Sequence, residues 1–310
     1  MKFKTKGKQY LYTVLVLLLI SNFISGQTQT KTIPVFWQIK TPNSDKVSYI
    51  LGTNHIFGEP WVRRYPGLQS CIKKSEVFFC ETYQTDLESY KRNINKNNSL
   101  RTAKELFGSD LPLMDSYFTK IGWVETVTAA FNESDSAVDQ ISLLTSMYYQ
   151  LLYKIIAESG LKKDSITGGM DDVLAKIAHS YNKKIISLDN TDLLGKIDFG
   201  DKDAFPSAII LLVKFLNGEN IKDKNLFIET FRLYQEGNYS MFTLDKSTDY
   251  LHIEKRNRLW AEKLKPFLKD KSCFVAVGAA HLVNNRKDGL IDLIREMGYE
   301  VKPVKLNVGR

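Results

Sequence analysis

The chain has 310 residues, with 43 Lys or Arg against 35 Asp or Glu, so its formal net charge is +8 at pH 7. Hydrophobic residues make up 43% of the chain and charged residues 25%, which excludes a disordered or fibrous protein. Three cysteines are too few to staple a chain of this length, so a hydrophobic core must stabilise the fold.

The first 26 residues have the pattern of a secretory signal peptide. Lysines at positions 2, 4, 6 and 8 precede the apolar run Val14–Ile20, and the small residues Ser25 and Gly26 follow it. This run is shorter than the roughly 20 residues that a membrane-spanning helix needs. We therefore predict a signal peptide over residues 1–26 and one domain over residues 27–310, exported to the periplasm or the extracellular space. A membrane contact through an uncleaved signal segment is the alternative.

The charge of the mature chain is lower than the total suggests. Without the four N-terminal lysines, the net charge of +8 falls to about +4. A nucleic-acid-binding domain would need basic residues clustered on one face, so this mild excess argues against nucleic acid as a partner. The sequence leaves the oligomeric state open.

The cysteines Cys71, Cys80 and Cys273 allow two interpretations in an oxidising compartment. One disulfide with one free thiol and three buried thiols are both consistent with their spacing. A nucleophilic cysteine is disfavoured, because Cys71 has no histidine near it in sequence and Cys273 begins an apolar strand.

Short apolar runs near both ends of the chain predict β-strands. Val35–Ile39 and Val47–Leu51 flank a turn-forming segment and predict a hairpin. The run Glu76–Cys80 is apolar on both faces, which is typical of a strand inside a covered sheet. Further strands are predicted over Lys184–Leu188, Cys273–Val277 and Val301–Leu306.

A long helical region lies between these strands. From Leu87 to about Leu161 the apolar spacing is helical, and residues 141–157 carry a wide apolar stripe that indicates core packing. Further helices are predicted over residues 66–75, 171–181, 208–216, 223–268 and 287–297, and residues 27–32 are interpreted as a polar leader. The pattern predicts an α/β fold: a central mixed β-sheet from N- and C-terminal strands with a large helical insertion.

Two of the predicted strands end in the same pattern, Gly-x-x-His. One runs into Gly52 and His55, and the other into Gly278 and His281; a third strand ends at Glu81. Ligand sites in open α/β sheets form beyond the carboxyl ends of the strands. If these three strands lie side by side and point the same way, the two imidazoles and the carboxylate converge.

Two imidazoles and one carboxylate support two kinds of chemistry. As ligands of a divalent metal ion they would leave a position for water, lower the pKa of that water and promote hydrolysis of an amide or ester. Without a metal, one histidine can act as general base while Glu81 orients it or exchanges protons. His179 and His252, both in predicted helices, are interpreted as structural.

Two other residues each have a functional and a structural interpretation. Asp189 follows the fourth strand, and since Asn190-Thr191-Asp192 comes next, a turn or a helix N-cap is favoured over a fourth site carboxylate. Arg256 lies in a charged segment of the kind that usually forms a solvated helix face. The functional alternative is an arginine that reaches an anionic intermediate.

These motifs resemble the TraB/GumN/Tiki family over about residues 33–306. The resemblance rests on two Gly-x-x-His motifs and a glutamate after an early strand, and it is most specific near the second motif. The segments that carry it are Tyr49–His55, Val77–Glu81, Gly169–Asp171, Lys184–Asp189, Arg256–Trp260, Phe274–Leu282, Gly289–Leu290 and Gly298–Val301.

The resemblance implies a fold related to erythromycin esterase and to haem-binding ChaN-like proteins. Animal Tiki members are metal-dependent proteases, which points to His55, Glu81 and His281 as metal ligands or catalytic residues, supported by Arg256. Erythromycin-esterase relatives are thought to work without metal, so the resemblance leaves metal dependence open. The family often carries Glu where this chain has Asp189, and the shorter side chain argues against a ligand role there.

The sequence therefore predicts an exported hydrolase that acts on a peptide or a small acyl substrate. A divalent ion, Mn, Co or Zn, is the expected cofactor. The alternative is a protein of the same fold that binds haem or a metal without catalysis, and an interaction protein that has lost the chemistry is a third hypothesis.

Overall fold

The computed structural model describes residues 31–42, 44–83, 92, 95, 99–161, 168–189, 204–241, 253–283 and 288–309. Its described residues form two compact units: a helical unit within residues 86–161 and 191–228, and a sheet unit within residues 24–85, 162–190 and 229–310. The predicted signal peptide lies outside the described residues. Within the described ranges, no helix is long and apolar enough to cross a membrane.

The sheet unit contains a six-stranded mixed sheet in the order β5-β4-β7-β3-β2-β8. Its strands are β2 (Phe36–Lys40), β3 (Val47–Thr53), β4 (Val77–Cys80), β5 (Lys184–Ser187), β7 (Cys273–Gly278) and β8 (Glu300–Pro303). Strands β5, β4, β7 and β3 are parallel, whereas β2 runs antiparallel to both β3 and β8. The predicted α/β class with a mixed sheet is confirmed.

The interior strands β4 and β7 are buried at every residue, as their continuous apolar sequence predicts. Phe78 of β4 stacks on Phe274 of β7, with ring centroids 5.7 Å apart. Full burial of one such side chain contributes roughly 1.5–3 kcal/mol, so these two strands anchor the core of the sheet unit.

Two predictions about local structure are wrong. Residues 31 and 32, interpreted as part of a polar leader, belong to β1 (Lys31–Pro34). Residues 223–268, predicted to be helical throughout, contain β6 (Asn238–Met241), which pairs with β1 in a separate antiparallel ribbon. Gly237, with φ +81°, follows the preceding helix and allows the chain to turn into β6. A strand this short is stabilised by its partner, which local periodicity does not reveal.

Five described helices accompany the strands of the sheet unit. They are α1 (Glu59–Arg64), α2 (Pro66–Lys74), α7 (Met170–Ser180), α10 (Ile253–Asp270) and α11 (Leu290–Glu296). Helix α7 begins after Gly168 and Gly169, which both have positive φ, and it carries Asp171 and Asp172 in its first turn. Acidic side chains at a helix N-terminus interact favourably with its dipole, so this is a well-specified helix start.

The helical unit contains α3 (Ala103–Phe107), α4 (Leu111–Lys120), α5 (Val127–Asn132), α6 (Ala137–Glu158) and α8 (Ala204–Leu216). Helix α9 (Ile221–Gln235) contributes residues to both units. Thr102 and Glu105 form a capping box at α3, and Ser136 caps α6. The predicted apolar stripe of residues 141–157 is the buried face of α6, which packs against α8.

All three cysteines are free thiols in this structure. Cys80 and Cys273 are buried, and burial raises the pKa of Cys273 to about 12. Burial also raises the pKa of the half-buried Cys71 and of Cys80. The nucleophilic form of a cysteine is the thiolate, so these environments agree with the interpretation that none is a nucleophile.

Candidate functional site

Three adjacent parallel strands deliver the three residues singled out by the motifs to one edge of the sheet. His55 follows β3, Glu81 follows β4, and His281 lies in a one-turn 3₁₀ helix, Ala279–His281, directly after β7. All three side chains are buried. The Nε2 atom of His281 lies 4.0 Å from Oε1 of Glu81, and His55 is close enough to both residues to affect their pKa values.

The glycine of the first motif has a packing role. A Cβ atom on Gly52 would lie 2.6 Å from Cδ1 of Leu282 and 2.9 Å from the backbone Cα of Ala279. Gly52 therefore lets the end of β3 pack directly against the turn that carries His281. This close approach is possible because glycine has no side chain.

Arg256 of α10 is buried at the centre of the site. Its Nη2 donates to Oε2 of Glu81 and to Oδ2 of Asp189, each at 2.6 Å, and its Nε donates to Oδ1 of Asp189 at 3.3 Å. Its Nη1 lies 3.2 Å from Nε2 of His281. The interpretation of Arg256 as part of a solvated helix face is therefore wrong, because this side chain lies on the buried face of an amphipathic helix.

Asp189 belongs to the same cluster. It is buried, and besides its two bonds from Arg256 it accepts a hydrogen bond from Nε1 of Trp260 at 2.7 Å. The favoured interpretation of its side chain as a turn or N-cap group is not what the structure shows. The Trp260 ring also lies against the Arg256 guanidinium, 4.6 Å from ring centroid to Cζ, and against the His281 ring, with centroids 4.3 Å apart.

Glu81 is anchored at both carboxylate oxygens. Oε2 accepts from Arg256, and Oε1 accepts the backbone N–H of Gly278 at 2.5 Å. Burial raises the pKa of Glu81 above its usual value, and the neighbouring Asp189 adds to that rise. Arg256, His55 and the Gly278 N–H oppose it because they stabilise the carboxylate. Gly278, the glycine of the second motif, therefore helps to hold the Glu81 carboxylate through its backbone N–H.

The tautomer of His281 follows from its neighbours. Asn257 donates from Nδ2 to the carbonyl oxygens of His281 and Asp288, so its Oδ1 faces Nδ1 of His281 at 2.6 Å and must accept a hydrogen bond. Nδ1 therefore carries the proton, and the lone pair of Nε2 faces Arg256. Burial, followed by the charges of Arg256 and His55, holds the pKa of His281 well below its usual value, so this imidazole is neutral.

His55, unlike His281, has a negatively charged partner, the carboxylate of Asp171. Nδ1 of His55 donates to Oδ2 of Asp171, while the Thr53 hydroxyl donates to Oδ1 at 2.9 Å. Burial alone would lower the pKa of His55, but the charge and hydrogen bond of Asp171, helped by Glu81, raise it above its usual value. Burial alone would raise the pKa of Asp171, but the charge and hydrogen bond of His55 outweigh burial, so this pKa lies below its usual value.

Backbone hydrogen bonds connect the His55 loop to the start of α7. The N–H of Gly169 donates to the carbonyl of His55 at 3.0 Å, and that of Gly168 donates to Ile56 at 2.8 Å. Because Asp171 is the second residue of α7, these bonds hold its carboxylate beside the imidazole. The glycines before Asp171 therefore position the His55–Asp171 pair.

Three residues of this site are not predicted from the sequence: Asp171, Asn257 and Trp260. Each lies within a segment that carries the family resemblance, but neither spacing nor charge assigned it a role. A signal was present for the last two, since Arg256, Asn257 and Trp260 lie on one face of α10. His179 is exposed on α7, its structural interpretation stays a prediction, and His252 lies outside the described residues.

The geometry offers a poor fit for the metal ion that the resemblance implies. Among the residues that the structure describes, no three His, Cys, Asp or Glu side chains are arranged to hold an ion. The lone pairs of Glu81 and His281 that would bind it face Arg256 instead. The donor types are suitable, but the guanidinium occupies the position they share.

The fold and site define an α/β protein in which neighbouring strand ends place two histidines, carboxylates and a buried arginine together. The chain belongs to the TraB/PrgY/gumN family, whose model matches residues 35–303. No curated protein and no solved structure matches the chain. The predicted family is confirmed, whereas the Tiki-like assignment and the erythromycin-esterase or ChaN-like fold remain predictions.

Proposed function

We propose that this protein is a hydrolase that cleaves a peptide or another acyl bond, with His55 as the general base. The observation that carries the proposal is the pair of the buried His55 and the part-buried Asp171 at the carboxyl edge of the parallel strands. A base held by a carboxylate, near a buried arginine, is an arrangement suited to activating water for attack on a carbonyl carbon.

Asp171 would act on His55 in two ways. Its hydrogen bond to Nδ1 sets the tautomer, so Nε2 is the nitrogen that takes the proton from water. Its charge stabilises the imidazolium that forms, which is also why the pKa of His55 is raised. A histidine with such a partner is a stronger base than a free imidazole, and it holds its orientation through the reaction.

Arg256 would supply the positive charge that an anionic intermediate needs. Four of its five N–H groups are accounted for by bonds to Glu81, Asp189 and His281. Among the described residues, the fifth, on Nη1, has no recorded acceptor. A buried and immobilised guanidinium stabilises a developing oxyanion far better than one in water does. Glu81 and Asp189 would then hold the arginine in place.

Three narrower statements remain predictions from the sequence. Export rests on the N-terminal pattern, and metal dependence and the peptide specificity of Tiki-like proteins rest on the resemblance. Binding of haem or metal without catalysis remains the alternative to hydrolysis. No step above requires an ion.

The proposal is tested by assaying the purified full chain against a peptide library and a set of small acyl esters. Each assay is run with EDTA and, separately, with added Mn²⁺, Co²⁺ or Zn²⁺, and haemin titration tests the alternative. We expect activity that falls by about 10²–10⁴-fold in His55→Ala, the usual contribution of a general base. His179→Ala is the matched control, since it removes an exposed histidine.

Two results would contradict the proposal. The first is hydrolysis at wild-type rate in a folded His55→Ala variant, which would remove the base from its role. The second is absence of hydrolysis under every condition together with a haemin-induced Soret shift that is lost in His55→Ala, which would favour the binding alternative.

A further inference from the structure

We propose that Arg256 is the resident cation of this site, filling with its guanidinium the position that a divalent metal ion would otherwise take between Glu81, Asp189 and His281. The inference concerns the same site as the proposed hydrolysis, but it rests on the contacts of the arginine and not on catalysis.

The first support is the set of groups around the guanidinium. Two carboxylates and one imidazole converge on Arg256, with contacts between 2.6 and 3.3 Å, and their side chains are almost completely buried. Carboxylate oxygen and imidazole nitrogen are also the donors that divalent transition ions prefer. A planar guanidinium satisfies them instead with directed N–H donors.

The second support is the orientation of His281. Asn257 holds the proton on Nδ1, which directs the Nε2 lone pair at Nη1 of Arg256. A metal ion would need that same lone pair, because a protonated ring nitrogen cannot bind a metal. The arginine and an ion are therefore competitors for one atom and cannot both be satisfied by it.

The third support is Trp260, which suits an arginine and is of no use to a metal ion. Its ring lies over the guanidinium, and its Nε1–H donates to Asp189. Aromatic faces attract weakly hydrated, delocalised cations such as guanidinium. The indole N–H is a donor only and cannot act as a ligand, so the Trp260 side of the cluster is built around the arginine.

A divalent ion beside Arg256 would also meet electrostatic repulsion. Two like charges in a buried site interact strongly because little water screens them. The ion could enter only if the guanidinium left Glu81 and Asp189. Removing the arginine should therefore create a metal site, whereas the wild-type chain should lack one.

The test measures binding of MnCl₂ and ZnCl₂ to the full chain by isothermal titration calorimetry and by metal content after dialysis. We expect no wild-type binding that depends on Glu81, so Glu81→Gln leaves the titration unchanged. We expect Arg256→Met to gain one bound ion per chain, and the double variant Arg256→Met/Glu81→Gln to lose it again. Circular dichroism checks that each variant is folded.

The wild-type arm keeps the inference testable even if Arg256→Met does not fold. One ion bound to wild type and lost in Glu81→Gln or His281→Ala would overturn it, because the ion would then bind in the presence of the arginine. A folded Arg256→Met variant that binds no more metal than wild type would overturn it as well. These readouts do not involve hydrolysis, so failure of the proposed function leaves them interpretable.

Discussion

The loop after β3 and the loop after β7 carry the same Gly-x-x-His pattern on neighbouring parallel strands, but their imidazoles face opposite charges. His55 donates to the carboxylate of Asp171, and its pKa is raised. His281 donates to the neutral amide of Asn257 and faces Arg256, and its pKa is lowered. A shared motif therefore sets where an imidazole lies, while its neighbours decide whether it takes up a proton.

Under the proposed function, this difference suits the two histidines to different tasks. The raised pKa and the carboxylate partner make His55 the group that can accept and release a proton. The lowered pKa makes His281 a neutral acceptor that helps to hold Arg256. The motif alone suggests two equivalent histidines, which would not differ in pKa in this way.

We expect the largest effect on stability from substitution of Arg256, the cation that faces His281. Arg256→Met leaves the carboxylates of Glu81 and Asp189 buried without their cation, so we expect a loss of about 3–5 kcal/mol in the free energy of unfolding. Urea unfolding monitored by circular dichroism measures this loss. Arg258→Met is the matched control on the same helix, because Arg258 is exposed and pairs only with Glu254 among the described contacts.

For that control we expect a change of less than about 1 kcal/mol, the usual value for an exposed ion pair. Equal losses in the Arg256 and Arg258 variants would show that the buried cluster contributes nothing special to stability.

The next largest effect is expected on activity when Asp171, the partner of His55, is substituted. Asp171→Asn removes the charge that raises the pKa of His55, so the acid limb of the rate profile for kcat/KM should move to lower pH. At neutral pH we expect activity to fall by about 10²-fold, because the imidazolium loses its stabilising charge. A pH-rate profile of wild type and variant measures both changes, and Asp172→Asn on the same helix turn is the control.

A profile that stays in place in Asp171→Asn would show that Asp171 does not tune the essential base. A shift of the alkaline limb to lower pH, with the acid limb in place, would show that His55 acts as an acid.

A third substitution, Asn257→Asp, gives His281 a carboxylate partner like the one that His55 has. Asn257→Asp places a carboxylate at Nδ1 of His281, so the pKa of His281 should rise toward the behaviour of His55. Imidazole NMR signals recorded across a pH series measure it. The variant also loses the donor to two carbonyls, which we expect to cost about 1–3 kcal/mol of stability.

Wild-type His281 should show no titration through neutral pH. An unchanged His281 signal in a folded Asn257→Asp variant would contradict the assignment of Asn257 as the residue that sets its tautomer.

The smallest effect is on the pH dependence of stability, where the two histidines act with opposite sign. The folded-state pKa of His55 is raised, so its contribution is present below the unfolded value of about 6.5 and is lost as pH rises through the folded value. The folded-state pKa of His281 is lowered, so its contribution is present above about 6.5 and is lost as pH falls.

Each unit of difference in pKa corresponds to about 1.4 kcal/mol. Urea midpoints across pH 5–9 for His55→Gln and His281→Gln should therefore deviate from wild type in opposite directions. Deviations of the same sign would mean that the two environments are alike.

The convergence of three motif residues at one edge of the sheet has a simple physical origin. His55, Glu81 and His281 each follow a strongly apolar strand, and the ends of adjacent parallel strands meet at one edge. Local sequence was sufficient to find the strands and the residues that follow them. The ribbon of β1 and β6 was missed because each of its strands is short and is stabilised by a partner far away in the chain.

The partners of these residues could not be read from local pattern. Asp171 lies 116 positions from His55, and Arg256 lies 175 positions from Glu81. Helices α7 and α10 bring these groups to the sheet edge, and the amphipathic pattern of a helix marks its buried face without saying what that face will contact. For the same reason the charged segment around Arg256 predicts a solvated helix face, although this side chain is buried.

The amino-acid sequence by itself determined the family, the α/β class and the strand ends at which the site lies, because apolar runs and the glycines that follow them act locally. Only the tertiary structure decided which charge faces which imidazole, since a carboxylate or a guanidinium changes a pKa through distance and burial. Both are set by the packing of segments far apart in the chain.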